Sequence, residues 1–316
     1  MPNKIIAVAG PTASGKTALA VEIAKKYNGE VVSCDSMQIY RHMDIGTAKP
    51  TREEMCGIPH HMIDIIEPTE SYSVAAFVSD ARKCIDGILS RGRLPILAGG
   101  TGLYMDSIIN NISFAEFDGD EGFRAEMRGF AEREGNEALH DILKEKDPEA
   151  AEKIHPNNVR RVIRALEVCR VTGKTFTRAG LEARRGRVYD ALVFGLDAER
   201  SVLYDRINRR VDKMFEAGLE QEVRGLADSG IPRDSTAMQA IGYKELLEYF
   251  DGKCSLAEAA EKIKQESRRY AKRQLTWFRR NKDIVWLMLQ ECYSLNKICE
   301  QCFTFINNFG IMETVD

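Results

Sequence analysis

Apolar and polar positions alternate in two rhythms along the chain. Lys4–Ala9 is a short apolar run with β-branched side chains, which predicts a buried strand. It enters Gly10-Pro11-Thr12-Ala13-Ser14-Gly15-Lys16-Thr17, after which Ala18, Leu19, Val21, Ile23 and Ala24 keep helical spacing until Asn28-Gly29. Glu30–Cys34 predicts a second strand ending at Asp35, 61–66 a short strand, and 74–89 a helix. Leu94–Ala98 predicts another strand, running into Gly99-Gly100-Thr101-Gly102. Strands alternating with helices predict an α/β fold, a parallel sheet flanked by helices.

The rhythm then changes. Residues 117–190 are polar, helical and punctuated by turns, and read as a mostly helical insertion in an α/β core of 1–116 and 191–287. Within it, Val159, Val162, Ile163, Leu166 and Cys169 make one apolar stripe, Arg160, Arg161, Arg164 and Arg170 lie off that stripe, and Gly173 ends the helix. Ala191–Leu196 returns to the strand pattern. Helices follow at about 200–229, 236–250 and 255–281, and Ile284–Leu287 predicts a last strand. The tail, 288–316, carries an amphipathic pattern through Leu295, Ile298, Cys302, Phe305 and Phe309, with no role assigned to it.

The chain has 316 residues, 44% apolar and 29% charged, which excludes a disordered, collagenous or coiled-coil protein. No stretch approaches the roughly 18 apolar residues of a membrane helix, and the N-terminus has no signal-peptide core. A cytoplasmic protein with no membrane partner is expected. The net charge of −3 hides an uneven distribution. Residues 158–187 hold nine basic side chains against Glu167 and Glu182, and residues 262–282 hold nine against Glu266. Charge alone leaves two readings open, a polyanion-binding face or two solvated helix faces. Of the eight cysteines, five are scattered singly in apolar segments and read as small core residues in a reducing compartment. Cys299-x-x-Cys302 has ligand-like spacing but lacks a second pair, so packing is the expectation there too. His60 and His61 have no cluster of ligands nearby and are expected in a loop or in substrate-pocket packing.

The motif at 10–17 fits G-x-x-x-x-G-K-[ST] between a strand and a helix, the context a phosphate loop requires. Glycines let the backbone wrap a phosphate, free N–H groups and the helix dipole favour the anion, Lys16 adds positive charge, and the Thr17 hydroxyl is the expected Mg²⁺ ligand. The strand Leu94–Ala98 ends in Gly-Gly-Thr-Gly, where a nucleotide triphosphatase usually has an Asp that orders Mg²⁺. The ligand is therefore open to being another diphosphate. In an open parallel sheet, ligands lie beyond the carboxyl ends of the strands. The phosphate loop, Asp35 and Thr101 all follow strands and should line one cleft. There Asp35 is placed to accept a proton from a nucleophile and Thr101 to orient it, against the plainer roles of helix cap and turn cap.

Together these residues resemble the tRNA dimethylallyltransferases (tRNA isopentenyltransferases). The motifs are GPTASGKT (10–17), DSMQIYR (35–41), DIGTAKP (44–50), PHHMID (59–64), YSVAAF (72–77), GGTGLY (99–104), HPNNVRRVIRALEV (155–168), QAIGYKE (239–245) and RQLTWFR (273–279). They cover about residues 3–287. The resemblance implies a phosphate-loop fold with an inserted tRNA-binding domain. It also implies transfer of dimethylallyl from dimethylallyl diphosphate to N6 of the adenine 3′ of the anticodon, in tRNAs reading codons that begin with U. Asp35 matches the general base and Thr101 the residue that helps hold the nucleophile. Gly10–Thr17 match the diphosphate site, with Pro11, Thr12, Ala13, Ser14, Gly15 and Lys16 around the phosphates and Thr17 on Mg²⁺. Asp35, Ser36, Met37, Gln38 and Thr101 match the grip on the target base. Arg160, Arg161, Val162, Ile163, Arg164, Gln239, Ile241, Gly242, Lys244, Arg273 and Gln274 match tRNA-contacting stretches, and Arg124 a further contact. The implied partners are the anticodon stem-loop of tRNA and dimethylallyl diphosphate; a monomer is expected. Trp277 and Phe278 sit at helical spacing and are expected in the core rather than stacked on bases. Three alternatives stand beside this reading: an isopentenyltransferase acting on free AMP or ADP, a small-metabolite kinase using ATP, and a non-catalytic RNA-binding protein.

Overall fold

The computed structural model describes residues 3–112, 120–183, 186–289 and 295–311. Arg184, Arg185 and Cys292 lie outside them. The chain divides into two compact units, Met1–Ile109 with Arg187–Asp316, and Asn110–Gly186. The helical unit thus begins a few residues before the 117 expected from sequence and ends a few before 190.

The first unit is built on a six-stranded, wholly parallel sheet of β1 (Asn3–Ala9), β2 (Gly29–Ser33), β3 (His60–His61), β4 (Leu94–Gly99), β5 (Tyr189–Ala198) and β6 (Val285–Leu289), in the order β3-β2-β4-β1-β5-β6. Its helices before the inserted unit are α1 (Lys16–Lys26), α2 (Arg52–Met55), α3 (Val74–Ser90) and α4 (Gly102–Ile109). The central strands are buried on both faces and read as continuous apolar runs for that reason. β2, β4 and β1 are neighbours, in register through Val31↔Ile96 and Ile6↔Ile96. Their carboxyl ends deliver Asp35, Thr101 and the phosphate loop to one edge of the sheet.

The second unit holds α5 (Glu121–Glu134), α6 (Asn136–Lys146), α7 (Pro148–Lys153), α8 (Val159–Thr172) and α9 (Phe176–Glu182) around a core of its own, including Leu139, Leu143, Val162 and Leu166. Back in the first unit follow α10 (Arg200–Glu216), α11 (Leu219–Asp228), α12 (Tyr243–Phe250), α13 (Leu256–Phe278) and α14 (Leu295–Asn308).

Three expectations change. The helix read over 200–229 is two helices, because Gly218 takes φ +100 between them. The helix read over 236–250 begins only at Tyr243, after Gly242 at φ +100. The strand read over 61–66 shortens to His60–His61, with one isolated bridge from Tyr40 to Ile66.

The tail is part of the first unit. β6 extends the sheet to Leu289, and α14 buries Ile298, Cys299, Cys302 and Ile306 in the same cluster as Leu19, Ile23 and Tyr27 of the phosphate-loop segment. Tyr27 Oη meets Asn307 Oδ1 at 2.9 Å, and Lys4 Nζ donates to the Phe309 carbonyl. Cys299-x-x-Cys302 is packing, and burial pushes both thiols up. Among the singly placed cysteines Cys34 is buried, whereas Cys56 is exposed, because its turn follows the short surface helix α2.

Candidate active site

The phosphate loop leaves β1 and enters α1 through Gly15 at φ +82, while Ala13 holds φ +62. A left-handed alanine is a costly conformation, here kept within the phosphate-loop motif. Ser14 Oγ donates to the Pro11 carbonyl at 2.8 Å, and Lys16 Nζ to the same carbonyl at 2.7 Å. Burial, then the nearby Arg210 guanidinium, lowers the Lys16 ammonium from its ordinary range to about 7, with Asp35 acting the other way. Gln274 on α13 ties the loop to β4: its Oε1 accepts from Thr12 N at 2.9 Å and its Nε2 donates to the Gly100 carbonyl at 3.0 Å. A Cβ on Gly100 would lie 2.0 Å from Gln274 Nε2, so only glycine admits this strut.

Asp35 follows β2. Its Oδ1 accepts from Met37 N at 2.9 Å and Gln38 N at 3.4 Å, closing a tight turn. Oδ2 has no hydrogen-bond partner among the described residues. Thr101 Oγ1 accepts from Ser36 N at 3.1 Å, and Thr101 N donates to the Cys34 carbonyl at 3.1 Å. Thr101 therefore fixes the 35–36 backbone from behind. Gln38 Oε1 accepts from Ser33 Oγ at 3.0 Å.

Two cavities meet at this turn. The larger, of about 740 Å³, is lined by the phosphate loop and by Arg206, Arg209, Arg210 and Lys213 of α10. The smaller, of about 320 Å³, is lined by Ser36, Met37, Gln239, Ile241, Lys244 and Arg273. Thr12, Asp35, Thr47, Arg210, Met214 and Tyr270 line both. Burial and the Asp35 charge push the Tyr270 phenol up to about 12, so at neutral pH it is an uncharged donor at the junction. Burial lowers Arg210, and Asp35 opposes that shift. The arrangement offers a cationic end for a diphosphate, a partly apolar end for a second substrate, and a carboxylate between them.

Comparison with known proteins bears on this geometry. The family model described as IPP transferase matches residues 38–281, and that described as isopentenyl transferase matches 3–66. The chain belongs to the IPP transferase family. It is 53% identical over 306 residues to the tRNA dimethylallyltransferase of Shouchella clausii, covering 97% of this chain and 98% of that one. It is 50% identical over 311 residues to that of Caldanaerobacter subterraneus, covering 97% and 98%. The full-length tRNA isopentenylpyrophosphate transferase from Bacillus halodurans superposes with a TM-score of 0.74 at 50% identity, covering 97% and 96% of the two chains. A eukaryotic dimethylallyltransferase captured acting on tRNA superposes with a TM-score of 0.82 at 31% identity, covering 98% and 79%.

In this IPP transferase the residues expected to touch tRNA fall into three groups. Ser36, Met37, Gln239, Ile241, Lys244 and Arg273 line the smaller cavity, while Gln38 lines the larger. Gly242 is buried at the start of α12, where its N–H donates to Glu245 Oε2 at 2.8 Å. Gln274, expected on the RNA, is buried and spends both side-chain ends on the phosphate loop and Gly100. In the helical unit Arg160 and Arg161 are exposed with no ion-pair partner among the described residues. Val162 and Ile163 are buried in that unit's core, so any contact they make to RNA would come from their backbone. Arg124 and Arg164 both close on the fully buried Glu167, at 2.9 and 2.6 Å.

Other basic residues of the two charged stretches are likewise paired, as in Lys174–Glu182, Lys264–Asp212 and Arg279–Asp197. The histidines expected in a loop or pocket form β3 instead, His61 Nε2 meeting the buried Glu30 carboxylate at 2.6 Å. Trp277 Nε1 donates to Asp106 Oδ2 at 2.7 Å, and Phe278 is buried. Sequence reasoning missed the cations of α10. Their signal was available: Leu203, Ile207 and Val211 form the buried stripe, and Arg206, Arg210 and Lys213, spaced four and three apart, share a helix face beside it.

Proposed function

We propose that the protein transfers the dimethylallyl group of dimethylallyl diphosphate to N6 of the adenine 3′ of the anticodon, in tRNAs that read codons beginning with U. The products are N6-dimethylallyladenosine and diphosphate. The observation that carries this reading is the meeting of the two cavities at Asp35. The diphosphate takes the larger cavity, against the loop N–H groups, Lys16 and Arg210. The target adenine takes the smaller, and the allylic carbon sits between them.

The adenine amine is a weak nucleophile because its lone pair is delocalised into the ring. It needs an electrophile with advanced C–O cleavage and a base for its proton. Lys16, Arg210 and the loop N–H groups stabilise the negative charge that develops on the departing diphosphate. Asp35 Oδ2, free of hydrogen bonds among the described residues, takes the proton from N6. Tyr270 and Thr101 hold the turn and the junction.

Among the described residues no group of His, Cys, Asp or Glu forms a metal cage. Mg²⁺ is commonly held by few protein ligands together with substrate phosphates. Thr17 would hold it, and the ion would neutralise charge on the diphosphate. A base can reach such a cleft only by leaving its stack, which favours a single-stranded loop as acceptor. No helix among the described residues is long and apolar enough to cross a membrane.

The test is transfer of labelled dimethylallyl, with Mg²⁺, to an anticodon stem-loop of about 17 nucleotides, a single hairpin presenting its loop bases. AMP and a stem-loop with the target adenine replaced run beside it. Label on the adenine-bearing RNA alone is expected. Label on AMP would move the protein to the free-nucleotide reaction.

A further inference from the structure

Residues 44–51 form one wall of the cleft, and Thr47 lines both cavities. The wall has turns but no strand or helix until Arg52. It is held from behind by one carboxylate. Glu222 Oε2, from α11, accepts from Asp44 N at 2.8 Å and Ile45 N at 2.7 Å. Its Oε1 accepts from Gly46 N at 3.0 Å and from the Tyr243 hydroxyl at 2.6 Å. Three successive N–H groups converging on one anion form a backbone nest, here filled by the protein's own side chain. A Cβ on Gly46 would lie 2.5 Å from the Tyr243 ring, so glycine is what lets the wall rest on that ring.

On the cleft side the same wall supplies the Thr47 and Ala48 carbonyls to Gln38 Nε2, at 3.4 and 3.3 Å. Gln38 N in turn reaches Asp35 Oδ1. An unbroken chain of contacts therefore runs from Glu222 through 44–48 and Gln38 to the base. Glu222 lines neither cavity and faces a separate surface groove beside His42 and Glu67.

We propose that Glu222 is a positioning residue for the prenyl acceptor: by clamping 44–46 it fixes the Gly46–Thr47 wall of the smaller cavity, against which the adenine is set, and, through Gln38, the Asp35 turn. This rests on the prenyl-transfer reading of the cleft. It also explains the DIGTAK segment, whose backbone N–H groups serve Glu222 and whose Lys49 closes on Asp44 and Asp64.

The test uses Glu222→Gln and, as a milder variant that keeps the packing on Gly46, Tyr243→Phe. In the full-length protein all four contacts need an acceptor. An amide offers one acceptor oxygen and turns a donor toward the rest. Amide hydrogen exchange at 44–46 is measured first, followed by kinetics with the stem-loop varied and calorimetric affinity for dimethylallyl diphosphate. In Glu222→Gln, exchange at 44–46 is expected to accelerate at least about tenfold and kcat/KM for the RNA to fall by about tenfold or more. Diphosphate affinity should fall clearly less than kcat/KM for the RNA, by no more than about threefold, since 44–48 also line the larger cavity but the loop of 10–17 is untouched. Tyr243→Phe should show the same pattern to a smaller extent. Unchanged exchange in both variants, an RNA kcat/KM near wild type, or equal losses on both substrates would overturn the proposal. A wild-type protein that prenylates no RNA would instead sink the functional reading, and that result is in hand before any variant is made.

Discussion

The binding of dimethylallyl diphosphate should carry a pH signature from Lys16. Burial and Arg210 lower its ammonium to about 7 in the free protein. About nine in ten molecules are then charged at pH 6 and about one in ten at pH 8. A bound diphosphate raises that value again, because an opposite charge at contact distance favours the protonated form. The contribution of Lys16 to affinity is complete well below pH 7 and falls as pH rises through it, and binding at pH 8 takes up about half a proton or more. A charge-assisted contact is worth roughly 1.5–3 kcal/mol, enough for the whole charge change to be visible. The expected loss is about tenfold between pH 6 and 8, the ratio of the charged fractions. The substrate itself gains charge near pH 6, in the opposite direction. Lys16→Arg stays charged throughout, so the wild-type affinity divided by that of the variant cancels the substrate's ionisation. Calorimetric titrations at pH 6, 7 and 8, in two buffers of different ionisation enthalpy, measure both the ratio and the proton. Arg210→Met should move the midpoint upward, though only partly, since burial is the larger cause. A ratio flat within about twofold and no proton uptake at pH 8 would refute the argument.

Asp35→Asn should remove most transfer, by about 10²–10⁴-fold if the carboxylate is the base, while RNA affinity in a gel-shift titration stays close to wild type; near-normal turnover would remove Asp35 from that role. Arg160→Glu with Arg161→Glu should weaken stem-loop binding and reduce the slope of log affinity against log salt by about one for each RNA phosphate these side chains neutralise, and an unchanged slope would place the RNA phosphates elsewhere. Ile306→Ala, in the fully buried face of α14, should cost about 2–5 kcal/mol in denaturant unfolding. A loss under about 0.5 kcal/mol would mean that the tail merely decorates the surface.

The α/β architecture was legible because its strands are buried on both faces, and such strands stand out as unbroken apolar runs between polar helices. Where legibility failed, backbone conformation was the cause. Gly218 and Gly242 sit inside stretches of good helical periodicity, and nothing in that periodicity says that they turn to positive φ. The tail failed differently. Its apolar stripe was visible, but the surface it covers belongs to α1 and β1, some 280 residues earlier in the chain. Amphipathicity tells which face is buried, not what buries it.

The site divides along the same line. Residues carried by loops after strands could be placed in one cleft from topology alone, because β2, β4 and β1 are adjacent and parallel. Residues carried by helices could not. Arg206, Arg210 and Lys213 look on paper like the solvated basic residues of any surface helix, and many basic side chains among the described residues are indeed paired with neighbouring carboxylates. What separates them is the lack of a partner. Among the described residues these three have no ion-pair partner, although the chain has an excess of acid over base. A cation left unpaired in such a chain, facing a cleft that also holds a phosphate loop, is more telling than a basic stretch counted along the sequence. The same test reverses the reading of Arg124 and Arg164. Glu167 holds both from beneath and Glu121 holds Arg124 as well, so much of their charge is already neutralised by neighbouring carboxylates.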